Sequence, residues 1–274
     1  MQFTKMHGIG NDFVVMDLRD GAPAPDRERA RAIADRRRGV GCDQLVLIEP
    51  AGANGVAARL RFLNPDGSES AACGNGARCV AARLMQESGR DRLTLETPGG
   101  RLEAMAAEGG LYSVDMGPAR LDWRDIPLAH ATDTVRLDVA LGPLEDPVAV
   151  GMGNPHCVFF VDDAEDIELA ALGPQLEHHP LFPERTNVEI ATVVDPGRIR
   201  VRVWERGAGI TLACGSGACA TLVAAHRRGL AARRAELMMD GGSLTIEWRD
   251  DNHVLLTGPV AVSFTGTLEG DVAA

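Results

Sequence analysis

Hydrophobic and polar positions along this chain follow an order of elements that runs through once and then recurs. Near the start, Val14-Val15-Met16-Asp17 reads as strand, as do Leu45-Val46-Leu47-Ile48 and the alternating Ala58-Arg59-Leu60-Arg61-Phe62. Asp26 can cap a helix running to about Arg38, with Gly39 as its stop. After Cys73, the residues Ala77, Val80, Ala81, Leu84 and Met85 fall at i, i+3, i+4, i+7 and i+8, one apolar face of a helix that Gly89 ends. Residues 92–97 and 102–106 flank Pro98-Gly99-Gly100, a hairpin signal.

The second half predicts the same plan. Residues 149–161 carry strand around an Asn154-Pro155-His156 turn, and 167–178 form a helix interrupted near Gly173-Pro174. Residues 198–205 alternate like a strand. The segment 219–228 is helical and apolar nearly all round, which implies burial, and it ends at Gly229. Residues 243–248 and 254–257 form another hairpin across Asp250-Asp251-Asn252. Strands outnumber helices and hairpins dominate, which argues against a parallel Rossmann sheet and for two mixed α/β (α+β) units. No low-complexity linker separates them. The expected boundary lies near Gly117-Pro118, giving halves 1–117 and 118–262.

Short motifs tie the halves together. Ala72-Cys73-Gly74-Asn75-Gly76-Ala77 recurs as Ala213-Cys214-Gly215-Ser216-Gly217-Ala218, a shift of 141 residues that also carries Asn64 onto Glu205. Upstream, Gly10-Asn11-Asp12-Phe13 aligns with Gly153-Asn154-Pro155-His156 at a shift of 143, which also carries Gln44 onto Asn187. The order Asn11, Gln44, Asn64, Cys73 is therefore repeated as Asn154, Asn187, Glu205, Cys214. Repeats of short solenoids recur at roughly 20–50 residues, so this is one duplicated unit.

Composition narrows the classes. The 274 residues suffice for two ordinary domains. Hydrophobic content of 45% and charged content of 24% are those of a soluble globular protein. No apolar run approaches the roughly 18 residues of a membrane span, and the first residues lack a signal-peptide core. A net charge of −11 argues against nonspecific nucleic-acid binding. The arginines at 27–38 are interleaved with Asp26, Glu28 and Asp35, as on a solvated helix face. Six cysteines without a secretion signal fit a reducing cytoplasm.

The repeated cysteines carry the candidate chemistry. Each sits at the start of a helix, where unpaired N–H groups hold partial positive charge, lower a thiol's pKa and form an anion site. The glycines of Cys-Gly-x-Gly let backbone amides approach a ligand closely. Two such sites can hold one carboxylate and stabilise charge as its α-carbon loses a proton. A thiolate removing a proton from one face and a thiol returning one to the other is what stereochemical inversion requires. Cys42, Cys79, Cys157 and Cys219 read as core residues. The spacings around Cys73 and Cys214 lack a zinc framework. A switchable disulfide between them, as in a thiol redox or sensor protein, is an alternative, but it leaves Asn64, Asn154, Asn187 and Glu205 without a role.

The motifs resemble the diaminopimelate epimerase family. The matching segments are Met6-His7-Gly8-Ile9-Gly10-Asn11-Asp12-Phe13, Gly41-Cys42-Asp43-Gln44, Asn64-Pro65-Asp66-Gly67-Ser68, 72–79, Gly153-Asn154-Pro155-His156-Cys157, Arg185-Thr186-Asn187, Trp204-Glu205-Arg206-Gly207 and 213–217. They span nearly the whole chain in family order. The resemblance implies epimerisation of LL-2,6-diaminoheptanedioate to the meso form, in lysine and peptidoglycan-precursor biosynthesis, with neither pyridoxal phosphate nor metal. It implies two pseudo-symmetric domains, each a β-rich layer curled round a central helix, with the active site in the cleft between them and residues 263–274 returning to the first domain.

By the same resemblance, Cys73 and Cys214 are the acid/base pair, and His156 and Glu205 assist them. The amides of Gly74, Asn75, Gly215 and Ser216 hold the reacting carboxylate. Asn11, Asn64, Asn154, Asn187 and Arg206 grip the distant amino-acid end, and Gln44 lines that pocket. A homodimer is implied, with Phe264 where the family often has a tyrosine linked to dimer contacts. The nearest rival is another amino-acid racemase or isomerase of the same architecture.

Overall fold

A computed structural model of the chain describes residues 1–71 and 73–269. The chain divides into two compact units, Met1–Val114 with the described part of Gly258–Ala274, and Asp115–Thr257. Of the segment expected to return to the first domain, 270–274 lie outside the described residues.

The first unit runs β1 (Gln2–Gly8), β2 (Asn11–Asp17), α1 (Arg27–Ala34), β3 (Gln44–Glu49), β4 (Ala58–Leu63), β5 (Glu69–Ser70), α2 (Gly74–Ser88), β6 (Arg92–Thr97), β7 (Gly100–Ala107) and β8 (Leu111–Pro118), the last running past the division. The second runs β9 (Val148–Gly151), β10 (Pro155–Phe160), α3 (Leu169–Glu177), β11 (Asn187–Asp195), β12 (Arg198–Glu205), β13 (Gly209–Thr211), α4 (Gly215–Arg227), β14 (Arg234–Met239), β15 (Gly242–Trp248) and β16 (His253–Gly258). Strand β17 (Ala261–Thr267) belongs to the first unit and pairs antiparallel with β1.

Pairing in one unit copies pairing in the other. Strands β2 and β3 are parallel, as are β10 and β11; β3–β4 and β11–β12 are antiparallel; β4–β6 and β12–β14 are parallel. Register is copied too. Phe13 pairs with Gln44 where His156 pairs with Asn187, and Phe62 pairs with Ser70 where Val203 pairs with Thr211. The 143- and 141-residue shifts read from sequence are therefore shifts of equivalent ladder positions.

Both faces of the central strands are covered, which is why Val14-Val15-Met16 and Leu45-Val46-Leu47-Ile48 are apolar without alternation. Val14, Met16, Leu45 and Leu47 pack with Ala30 and Ile33 of α1. On the opposite face, the ring of Phe13 and the side chain of Val46 lie against Gly76 of α2. Helix α2 packs against β1, β2, β6 and β7 and is buried along most of its length. In the second unit, Cys157 and Phe159 of β10 and Val188 and Ile190 of β11 form a core with Leu169 and Leu176 of α3. Helix α4 packs against β9, β10, β11, β12, β14 and β15. Each unit is thus a β-rich sheet around one central helix, the mixed α/β class expected.

Two helices depart from the sequence reading. Asp26 caps α1 as expected, accepting from Arg29 N at 2.8 Å, but the helix stops at Ala34 rather than near Arg38. The Asp35 carboxylate accepts from the backbone of Arg37 and Arg38, and the amides of Val40 and Gly41 both return to the Ile33 carbonyl, so the chain turns early. Helix α3 is continuous through Pro174. Its backbone presses on an indole: a methyl at Gly173 would lie 2.5 Å from Trp204 Cδ2. Trp204 Nε1 also donates to Glu177 at 2.7 Å, so tertiary packing holds the helix where a proline removes a bond.

Candidate active site

Each repeated cysteine is the N-cap of its unit's central helix. Cys73 has extended backbone (φ −148°, ψ 105°) and its Sγ accepts from Gly76 N at 3.4 Å. Cys214 has the same geometry (φ −122°, ψ 113°), and its Sγ accepts from Gly217 N at 3.4 Å. N-caps are ordinarily Ser, Thr, Asp or Asn, because a side-chain oxygen best satisfies the free amide. A sulfur in that place, twice, gives up capping strength and sets a thiol among unpaired N–H donors.

The helix start does not by itself decide the ionisation of Cys214. Burial pushes this thiol well above the usual range; the charges of Glu205 and Glu189 push it further, and the bonds from Ser216 and Gly217 pull only partly back. The expected lowering by a helix N-terminus is present and outweighed.

In the first unit, the β1–β2 hairpin presents Asn11. Its turn residues Ile9 and Gly10 both have positive φ, 47° and 87°; a β-branched residue in that region is strained. Asn11 donates from Nδ2 to Asp43 at 2.8 Å and accepts from Asn75 Nδ2 at 3.3 Å. Arg78, fully buried, donates to the Asn75 carbonyl oxygen at 2.9 Å and so fixes which way that amide points. Beneath Asn11, Asp12 meets Lys5 at 2.5 Å and Arg36 at 2.7 Å. Burial raises the Asp12 carboxyl, but Arg36 and Lys5 hold it well below the usual carboxylate range. Gln44 Nε2 donates to Asn64 Oδ1 at 2.8 Å, and Asn64 Nδ2 donates to Ser68 Oγ at 3.1 Å. Cys73 and Gly74 begin the helix whose second residue is Asn75.

In the second unit, Gly153 also has φ 87° and precedes Asn154. Asn154 donates to Ser216 Oγ at 3.4 Å, and its Oδ1 lies 2.9 Å from His156 Nε2. Ser216 Oγ lies 3.5 Å from Cys214 Sγ, with Gly215 between them at the helix start. Asn187 is buried; it donates to Pro155 O at 2.9 Å and accepts the Arg206 amide at 3.0 Å. The Arg206 guanidinium donates to Glu184 O at 2.8 Å. Glu205 accepts from Thr211 Oγ1 at 2.5 Å. The structure thus joins Asn11 with Asn75 and Gln44 with Asn64 in one unit. In the other it joins Asn154, His156, Ser216 and Cys214, and Asn187 with Arg206.

Two groups escaped the sequence reading. Arg78 stands in the matching segment 72–79, where the sequence alone assigns it no role. Glu189 is an acid between Val188 and Ile190 in a strand; that pattern was a signal, since a buried carboxylate there needs a partner. The partner is His156, at 2.7 Å.

Solved structures with this architecture include a predicted epimerase from Pseudomonas aeruginosa, with TM-score 0.70 and 19% identity over 98% of this chain and 99% of that one. A hydroxyproline epimerase from Agrobacterium vitis gives TM-score 0.69 and 17% identity over 97% and 91%. At that identity they establish the fold. Closer kinship is in sequence. The diaminopimelate epimerase family model matches residues 3–121 and 148–263. Proteins named diaminopimelate epimerase from Rhodospirillum centenum and Acidiphilium cryptum are 60% and 59% identical, over 97% and 99% of this chain and 92% and 98% of their own. The protein is an isomerase, an epimerase by class. Within that class, the chain belongs to the diaminopimelate epimerase family.

Proposed function

We propose that this protein converts LL-2,6-diaminoheptanedioate to its meso isomer by a two-base mechanism, supplying lysine and peptidoglycan-precursor biosynthesis. The observation that carries the reading is the pair of cysteine N-caps with matching sulfur-to-amide geometry, one per unit, in a chain of this family. Cys73 and Cys214 are the acid/base groups. One takes the α-hydrogen as thiolate and the other returns a proton as thiol, and the reverse reaction exchanges them. Burial favours the protonated form of Cys214. The thiols supply the proton chemistry, so no pyridoxal phosphate or metal is required.

The amides of Gly74, Asn75, Gly215 and Ser216 bind the reacting carboxylate, where charge develops as the α-proton leaves. Asn11, Gln44, Asn64, Asn154, Asn187 and Arg206 bind the distal amino-acid group. Each has a polar atom already oriented by a neighbour, which favours one ligand geometry. His156 and Glu205 tune proton transfer at the cysteines. A ligand lacking the distal groups leaves these polar atoms unpaired, so alanine, proline and lysine are rejected.

The protein works in the cytoplasm as a homodimer without nucleic-acid or membrane partners. Val262 and Phe264 of β17 are half exposed, an apolar face suited to a second copy. No helix among the described residues is long and apolar enough to cross a membrane.

The test is deuterium uptake. Purified protein in D2O without added cofactor is expected to place deuterium at the α-carbon of diaminopimelate, and Cys73→Ala and Cys214→Ala each to abolish epimerisation. No uptake, or inversion surviving the loss of both thiols, overturns the proposal.

A further inference from the structure

Strand β11 carries one side chain that its surroundings do not require. Glu189 is fully buried on the α4 face of the sheet. Its Oε1 lies 2.7 Å from Nδ1 of His156, which is equally buried, while its Oε2 is buried with no hydrogen-bond partner. An ionisable group held half-satisfied in a dry interior costs stability that an apolar side chain of similar size would not.

The first unit shows that the fold has no need of it. The 143-residue shift places Phe13 where His156 stands and Val46 where Glu189 stands. A methyl built on Gly76 would meet Val46 Cγ2 at 3.3 Å and Phe13 Cε1 at 3.4 Å; on the equivalent Gly217 it would meet Glu189 Oε1 at 2.7 Å. One architecture, at one position behind the cysteine-bearing turn, is filled by hydrocarbon in one unit and by an acid and a histidine in the other.

We propose that Glu189 is a positioning residue for proton transfer at Cys214, holding a proton on Nδ1 of His156 and so orienting the ring to present its Nε2–H to the chain Asn154–Ser216–Cys214. The inference rests on Cys214 acting as an acid/base group. Carboxylate and amide oxygens only accept, so Nδ1 donates to Glu189 and Nε2 donates to Asn154 Oδ1, and the bond to Glu189 fixes the Nδ1 proton and the orientation of the imidazole. From Nε2 the contacts run 2.9 Å to Asn154 Oδ1, 3.4 Å from Asn154 Nδ2 to Ser216 Oγ, and 3.5 Å to the sulfur. The same virtual methyl on Gly217 lies 3.3 Å from Cys214 Sγ, so carboxylate and thiol flank one point of the helix. The titratable neighbours that feel Glu189 are Cys157 and Cys214, and Glu205 adds its charge at Cys214. Sealed from solvent, Glu189 touches no ligand and acts through His156.

Nitrogen-15 NMR of the imidazole, assigned by its loss in His156→Gln, is expected to show Nδ1 protonated in the native protein. It is expected to show the Nδ1 proton lost, with Nε2 still protonated, in Glu189→Gln, whose amide can donate to Nδ1. A native ring with Nδ1 unprotonated overturns the proposal, and this readout stands whether or not diaminopimelate is the substrate. In turnover, Glu189→Gln is expected to lower kcat about 10- to 100-fold with KM little changed, a share of the usual general acid–base contribution. The double variant Glu189→Gln/His156→Gln should be no worse than His156→Gln alone. Losses that multiply, or a kcat equal to wild type, overturn it. A wild-type protein inert toward diaminopimelate would refute the assigned reaction and leave the NMR result to decide the role of Glu189.

Discussion

Alanine at Gly217 and at Gly76 asks how much room stands behind each reactive turn. Both glycines are the third residue of their helix, and neither has positive φ, so an L-residue fits the backbone. In a free helix either change would gain about 0.8–1.0 kcal/mol. At Gly76 the new methyl meets three apolar side chains at 3.2–3.4 Å, which must yield by a few tenths of an ångström. That cost roughly offsets the propensity gain, and Gly76→Ala should change stability by less than about 1 kcal/mol. At Gly217 the methyl would lie 2.7 Å from a carboxylate oxygen with no exposure and 3.3 Å from Cys214 Sγ. Overpacking of this kind costs about 1–3 kcal/mol, so Gly217→Ala should be destabilised by roughly 0–2 kcal/mol net. The larger effect is on turnover, since displacing a reacting group by about 1 Å costs on the order of 100-fold. Urea unfolding and kcat/KM of the two variants, measured side by side, check this. A Gly217→Ala protein as stable and as active as Gly76→Ala would refute the packing argument.

Glu205→Gln should impair α-hydrogen exchange from one diaminopimelate stereoisomer more than from the other, because its charge raises Cys214 while the equivalent position in the first unit is the neutral Asn64; equal losses in a deuterium-exchange assay would contradict it. Alkaline pH should destabilise the fold. Burial raises Cys42 and Cys79 to about 12, and Cys157 and Cys214 well above the ordinary thiol value. Native thiols then keep protons that unfolded ones release, so the contribution is complete below about pH 8.5 and is lost as pH rises toward the folded values. Melting temperature should fall steadily above pH 9, and less so in Cys157→Ala; a flat profile to pH 11 would count against it. Phe264→Glu should shift the protein toward monomer in sedimentation velocity, and an unchanged dimer would place the interface elsewhere.

Much of this was legible because duplication makes a sequence its own comparison. The shift that carries Cys73 onto Cys214 also carries one ladder onto another, so the pairing of Phe13 with Gln44 foretells that of His156 with Asn187. The glycine stop at Gly89 was equally plain: it ends α2 in the left-handed conformation that glycine alone adopts cheaply. What stayed hidden depended on contacts distant in the chain. Helix α1 stops early because Asp35 captures amides just beyond it, and α3 survives Pro174 because Trp204 packs beneath Gly173. The ionisation of Cys214 could not be read from its helix position, since burial and two acids from other strands outweigh the helix amides. Arg78 and Glu189 were hidden for a related reason: a charge amid apolar neighbours shows its role only once its partner is located.

The terminal strands set an order on the making of this protein. The amino group of Met1 bonds Leu268 O at 2.9 Å, 267 positions away, and β1 is flanked by β17. The 115–257 unit is one uninterrupted stretch. A ribosome therefore delivers every strand of that later unit before the earlier one has its last, and the half of the chain synthesised first is the half completed last. Until β17 emerges, β1 waits as an open sheet edge with Phe3 uncovered, the kind of surface that nascent-chain chaperones attend.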